Sequence, residues 1–244
     1  MNIKVLILGA GKGTRIGKTK SLLRIGKETF LERILKLYLE LPLHNIEIIV
    51  NPEFPFNQFF KTLALSDKDS GIYRWRSENI NPDLALSENE ELLRCFDEHE
   101  IRFVINYDYE LGQISSIQRG ISVNKENKDN EAGLDQNIDG IIIHPVDIPL
   151  VSASTVESIY RKVLESQKDP HKKIDIIIPS CNFRRGHPAF FSSSTFNDIF
   201  KRTSNNGLKE IFPLWKDKIG YVNTDDEFIL VDIDTQEDYD KYIL

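Results

Sequence analysis

The sequence predicts a single α/β domain with a mostly parallel sheet wrapped by helices, and three observations carry that reading. Short apolar, β-branched runs alternate with segments of helical period along the chain. The first apolar run feeds straight into a glycine-rich loop, as strands of open parallel sheets do where ligands gather at their carboxyl ends. The 244 residues, 40 % hydrophobic and 28 % charged, are enough to bury one full core.

The strands are Ile3–Leu8 and residues 46–50, 101–105, 141–143 and 174–178, each a mostly apolar, β-branched run short enough to cross a sheet once. Residues 29–39 place apolar side chains at 30, 31, 34, 35 and 38, one helical stripe. Residues 54–65 read as a further helix with Pro55 in its first turn. Ser87 and Glu90 read as the cap of another helix, and Ser154 with Glu157 as the capping box of one running to Leu164. Near the end, residues 228–231 read as a strand and Gln236–Tyr242 as a helix capped by Thr235. Within the domain spanning 1–244, residues 66–89 and 124–137 are polar and aperiodic and are read as insertions. Tyr73 and Trp75 mark part of the first as packed.

Composition excludes several classes. With net charge −7 and a pI near 5.4, general nucleic-acid binding is not expected. Cys95 and Cys181 have neither the number nor the spacing of a metal knuckle or disulfide framework, and read as reduced thiols of a cytoplasmic protein. No run approaches 18 apolar residues and Met1 leads directly into the first strand, so no membrane span or leader is expected.

Positive charge is gathered in one place. The first 27 residues hold seven Lys or Arg and no acid, although the whole chain is acidic. In VLILGAGKGTRIGKTKSLL, Gly9, Gly11 and Gly13 are expected to adopt φ > 0 and let backbone N–H groups approach an anion, while Arg15 and Lys20 add formal charge. Two better-known phosphate loops fail on spacing: a P-loop needs four residues between its first glycine and Gly-Lys-Thr, where this chain has five between Gly11 and Gly17. The dinucleotide fingerprint needs glycine at position 14 or 16, where Thr14 and Ile16 stand. Two acidic groups complete the pattern. Asp147, in HPVDIP after the strand GIIIH, lies at the sheet end facing the same crevice and is a candidate Mg²⁺ ligand. Asp232 is the preferred second ligand, with Asp234 the alternative.

The segments LGAGKGTRIGKTKSLL, GQISSIQRGI, VDIPLV, RRGHPAFF and DIDTQEDY, in this order, resemble the molybdenum cofactor nucleotidyltransferase family, its cytidylyltransferase branch more than its guanylyltransferase branch. The resemblance implies a Rossmann-like sheet of the nucleotide-diphospho-sugar transferase type. It implies that Gly11, Gly13, Arg15 and Lys20 hold a triphosphate, with Leu8, Gly9, Ala10 and Thr14 completing the nucleotide loop and Ser115 and Ser116 beside the nucleoside. Asp147 and Asp232 would bind Mg²⁺, and Arg185, Gly186 and His187 would lie on the acceptor side. The implied reaction moves NMP, with CTP favoured as donor, onto a phosphate-bearing acceptor such as molybdopterin. Three positions depart from the family: Gly9 stands where cytidylyltransferases show alanine, Ala10 where the guanylyl branch shows glycine, and Thr19 where proline or aspartate precedes the lysine. A sugar-1-phosphate nucleotidyltransferase and a non-catalytic nucleotide-binding regulator are the alternatives.

Overall fold

The computed structural model describes residues 1–11, 16, 17, 19–60, 71–122, 133–166, 168, 174–203 and 207–244. In chain order the strands are β1 (Ile3–Leu8), β2 (Arg24–Ile25), β3 (Glu28–Thr29), β4 (Asn45–Val50), β5 (Ile72–Trp75), β6 (Glu100–Ile105), β7 (Gly140–Pro145), β8 (Ile176–Cys181), β9 (Arg184–Arg185), β10 (Ala189–Ser192) and β11 (Ile219–Asn223). The α-helices are α1 (Phe30–Leu39), α2 (Glu90–Glu98), α3 (Gln113–Ile121), α4 (Ala153–Ser166), α5 (Phe196–Phe200) and α6 (Gln236–Tyr242).

Among the described residues, nine strands form one sheet in the order β11-β8-β10-β7-β1-β4-β6-β5, with β9 paired to β8. Strands β7, β1, β4 and β6 run parallel, whereas β5 and β10 run against their neighbours. The central strands are mostly apolar because both faces are covered, and the charges they do bury are paired: Glu47 of β4 takes Lys4 of β1 at 3.2 Å and Arg102 of β6 at 2.8 Å. Ile3, Val5 and Ile7 of β1 join the core under α1 and α4, while Leu6 and Leu8 point to the face covered by α3 and α5. Strand order reverses at β1, which has β4 on one side and β7 on the other, and their ends align at Leu8 and Pro145. A crevice at the carboxyl ends of β1 and β7 follows from that reversal.

Several sequence expectations shift. The helix at 29–39 forms as α1, with Thr29 and Glu32 in a reciprocal capping box. Helix α4 begins one residue before the expected cap: Ser152 Oγ accepts from Thr155 N at 3.3 Å, so Ser154 lies inside the helix. Helix α2 is capped by Asn89, which accepts from Leu92 N at 3.0 Å, and not by Ser87. Of the helix expected at 54–65, a single 3-10 turn at Phe56–Gln58 forms, and residues 61–65 lie outside the described residues. Residues 228–231 are not a strand; Asp226 caps a 3-10 turn at Glu227–Leu230 by accepting from Phe228 N. The strand expected at 174–178 forms as Ile176–Cys181, and Asp175 just before it accepts from Ser192 Oγ at 2.6 Å. Within 66–89, the segment Ile72–Trp75 is an edge strand on β6, and Trp75 is fully buried among Phe59, Phe60, Phe96 and Phe103. No helix among the described residues is long and apolar enough to cross a membrane.

Candidate active site

Three sequence-distant segments meet over the ends of β1 and β7. The loop after β1 returns through a 3-10 turn, Lys20–Leu22, which fixes the Lys20 backbone. The loop after β7 carries Asp147, and Val146 N donates to Leu8 O at 3.0 Å, tying it to β1. The third segment follows the turn at Glu227–Leu230: Ile233 is fully buried and its N–H donates to Asp147 O at 2.8 Å, which sets Asp232 and Asp234 on either side of that anchor. Helix α6 holds the segment from behind, with Thr235 and Asp238 in a capping box and Tyr239 stacked on Phe30.

The Lys20 ammonium donates to Asp147 Oδ2 at 2.9 Å and to Asp234 Oδ1. Burial alone would lower the Lys20 pKa; the charges of Asp147 and Asp234 outweigh it and the net direction is upward. Asp232 lies in the same field. Partial burial first, then the like charges of Asp147 and Asp234, push its carboxyl up to about 6. Among the described residues no group of three His, Cys, Asp or Glu side chains is arranged to hold a metal alone.

His144 explains why Asp147 stands where it does. Its ring is fully buried, and Nε2 lies 2.9 Å from Ile148 O, so Nε2 carries the proton and Nδ1 accepts from Tyr38 O–H at 2.8 Å. The ring therefore ties the turn 145–148 across its base. Burial holds the His144 pKa down at about 4, so it stays neutral, and burial raises the Tyr38 phenol. Sequence reading named the HPVDIP segment but gave His144 no task, because its partner Tyr38 lies 106 residues away.

The remaining expected residues sort plainly. Leu8, Ala10, Gly11, Ser116 and Asp147 line a small cavity of about 200 Å³. Gly9 does not; its N–H pairs with Ile49 O at 2.8 Å, and a Cβ there would lie 3.0 Å from Ser21 Oγ, so its smallness serves packing. Gly9 and Gly11 are not at positive φ, contrary to expectation; in this loop Gly17 is, at 69°. Gly13, Thr14 and Arg15 lie outside the described residues. Ser115 and Ser116 are buried and both hydroxyls accept from Asn106 Nδ2, at 2.9 and 3.0 Å, while Ser115 donates to Gly112 O. Ser115 is thus engaged by the protein, and Asn106, which sequence reading missed, orders the pair. Gly112 was also missed: at φ 88° and ψ −172° it adopts a conformation essentially reserved for glycine, and it turns the chain into α3 beside the small cavity.

Gln113 bridges to a second cavity of about 520 Å³, lined by Arg185, Gly186 and His187 and floored by apolar side chains including Ile178 and Phe191. Arg185 is held over the rings of Phe212 and Tyr221. Gly186 is glycine because a Cβ would run into Ile229 O. Burial lowers the His187 pKa, against the opposing pull of Asp147, and its Nδ1 is buried without a hydrogen-bond partner among the described residues.

A family model described as "MobA-like NTP transferase domain" matches residues 5–218, and the chain belongs to that family. Solved structures agree on the fold. Rv0371C of Mycobacterium tuberculosis H37Rv, in complex with manganese, is 14 % identical with a TM-score of 0.57, covering 100 % of this chain and 98 % of that one. A nucleotidyl transferase from Methanothermobacter thermautotroptrophicus is 16 % identical with a TM-score of 0.59, covering 99 % and 96 %. Molybdopterin-guanine dinucleotide biosynthesis protein A from Archaeoglobus fulgidus is 16 % identical with a TM-score of 0.56, covering 98 % and 96 %. No curated protein sequence matches the chain.

Proposed function

We propose that this nucleotidyltransferase transfers CMP from CTP to the phosphate of molybdopterin in a Mg²⁺-dependent reaction that releases pyrophosphate. The observation that carries the reading is the ammonium of Lys20 between Asp147 and Asp234, because it brings the basic loop and both acidic motifs to one point at the switch of the sheet. A cation already sits among these carboxylates, so the donor set fits a divalent ion, which Asp147 with Asp232 or Asp234 would hold. When bound, that ion supplies charge neutralisation of the phosphates.

The chain's own residues do the rest. An acceptor phosphate oxygen attacks the α-phosphorus and the pyrophosphate leaves; a phosphate monoester has a second pKa near ~6, so the nucleophile is already anionic and no general base is needed. Lys20 and Arg15 offset charge on the triphosphate, and the amino end of α3 presents its positive dipole to the small cavity. The larger cavity supports an acceptor with a ring body: its floor is apolar, Arg185 and Lys209 make it positive, and no acid lines it among the described residues. The choice of CTP rests on the sequence resemblance, in which Ala10 stands where the guanylyl branch shows glycine.

Purified protein with Mg²⁺, molybdopterin and each of the four NTPs in turn tests this by pyrophosphate release. CTP is expected to turn over fastest. Preference for GTP would reverse the base assignment, turnover only with a sugar 1-phosphate would replace the acceptor, and NTP binding without pyrophosphate would make the protein a regulator.

A further inference from the structure

The motif that places Lys20 on phosphate does not require it to touch carboxylates, yet its ammonium bonds two of them, on segments 127 and 214 residues away. We propose that Lys20 competes with the divalent ion: its ammonium holds the position between Asp147 and Asp234 against a metal, and the NTP releases that position by drawing Lys20 onto its phosphate oxygens. The inference rests on the nucleotidyl-transfer reading above.

The competition follows from the groups present. Lys20 is a compact, strongly hydrated charge on a flexible stem, and only 16 % of its side chain is exposed, against 28 % for Asp147 and 40 % for Asp234. Its backbone is pinned at the start of the 3-10 turn Lys20–Leu22, where Ser21 is buried, so the side chain can change partners without moving that turn. An ammonium and a divalent ion cannot share the same carboxylate oxygens. If Lys20 leaves the pair open one time in ten or fewer, the apparent affinity for metal alone falls at least about tenfold. Linkage makes the effect reciprocal: whatever removes the lysine favours the ion, and the ion favours the lysine's new partner. Nucleotide and metal would then enter as a coupled pair, and free metal would not load the site ahead of substrate.

The test is Mn²⁺ titration of the protein without nucleotide, followed by the free-ion paramagnetic resonance signal. Lys20→Met is expected to bind Mn²⁺ at least about tenfold more tightly than the unaltered chain, although it loses turnover. Lys20→Arg keeps the charge and is expected to stay weak, and Lys20→Met with Asp147→Ala is expected to lose the gain. Lys20→Gln serves the neutral arm if Lys20→Met melts early. Equal or weaker Mn²⁺ binding by the neutral variant overturns the competition while leaving nucleotidyl transfer intact, and a gain that survives Asp147→Ala overturns it by placing the ion elsewhere. Absence of Mn²⁺ binding in every form even with CTP, together with no pyrophosphate release, fails the transfer reading as well.

Discussion

Replacing His144 by Leu is expected to flatten the pH dependence of stability between pH 7 and pH 4. In the folded chain the ring is neutral, with a pKa of about 4, because burial penalises its charged form and the Ile148 carbonyl only partly opposes that. In the unfolded chain the same ring titrates at its ordinary 6.5. Its folded pKa is depressed, so its neutral-form stability is fully present above pH 6.5 and is lost as pH falls toward 4, where the unfolded chain alone takes up the proton. The difference between 6.5 and about 4 spans roughly 3 kcal/mol, of which about 2 kcal/mol is lost between pH 7 and pH 5. Denaturant unfolding of both proteins at pH 7, 6 and 5 measures it as the change in their stability difference. His144→Leu should be the less stable at pH 7, since Tyr38 O–H and the Ile148 carbonyl both lose their partner. The gap should narrow by about 2 kcal/mol at pH 5. A gap that stays constant or widens on acidification would refute the assignment of a buried neutral ring.

Gly186→Ala should cost roughly 1–3 kcal/mol, read as a lower thermal midpoint, because the added Cβ would lie 2.7 Å from Ile229 Cβ and Cγ1. Asp234→Asn and Asp232→Asn should each lower Mg²⁺-dependent turnover; loss in only one of them identifies the metal ligand of the pair. His187→Ala should raise the acceptor KM with NTP affinity nearly unchanged, since His187 lines the larger cavity and not the small one. Lost NTP affinity with normal acceptor kinetics would reverse that division of the crevice.

The legible parts of the fold were those whose residues state their own environment. Strands β1, β4, β6 and β7 are covered on both faces, so they read as mostly apolar runs despite Lys4, Glu47 and Arg102, and α1 declares itself through one stripe and the Thr29 capping box. Segments defined by remote partners did not read. Strand β5 is a short edge whose apolar Ile72 and Trp75 flank exposed Arg74, and its identity depends on pairing with β6. Residues 228–231 have the composition of a strand, but the Asp226 cap and the bond from His187 N to Ile229 O curl them into a turn. In Ser152-Ala153-Ser154-Thr155, local sequence offers several caps, and the link of Ser152 to Asp226 selects one.

The site shows the same division. Asp147 was visible because it is charge just after an apolar strand, and Lys20 and the acidic pair because they stand in short motifs whose order the chain keeps, although the acids follow a 3-10 turn and not a strand. That Lys20 would reach both acids was not, since it requires the positions of three loops at once. His144, Asn106 and Gly112 escaped because they act by orienting other residues: a buried ring, an amide behind two serines and a backbone angle carry no chemical signature in the sequence.

The central claim is that transfer takes place at the carboxylate of Asp147. Pyrophosphate release by Asp147→Ala, with Mg²⁺, CTP and acceptor at concentrations where the unaltered protein turns over, measures it most directly, with circular dichroism confirming that the variant is folded. Release is expected at background level, because Ile233 N still pairs with the backbone carbonyl at 147 and the loop keeps its course while the carboxylate is gone. Mg²⁺-dependent release at the unaltered rate from a folded Asp147→Ala protein would contradict it.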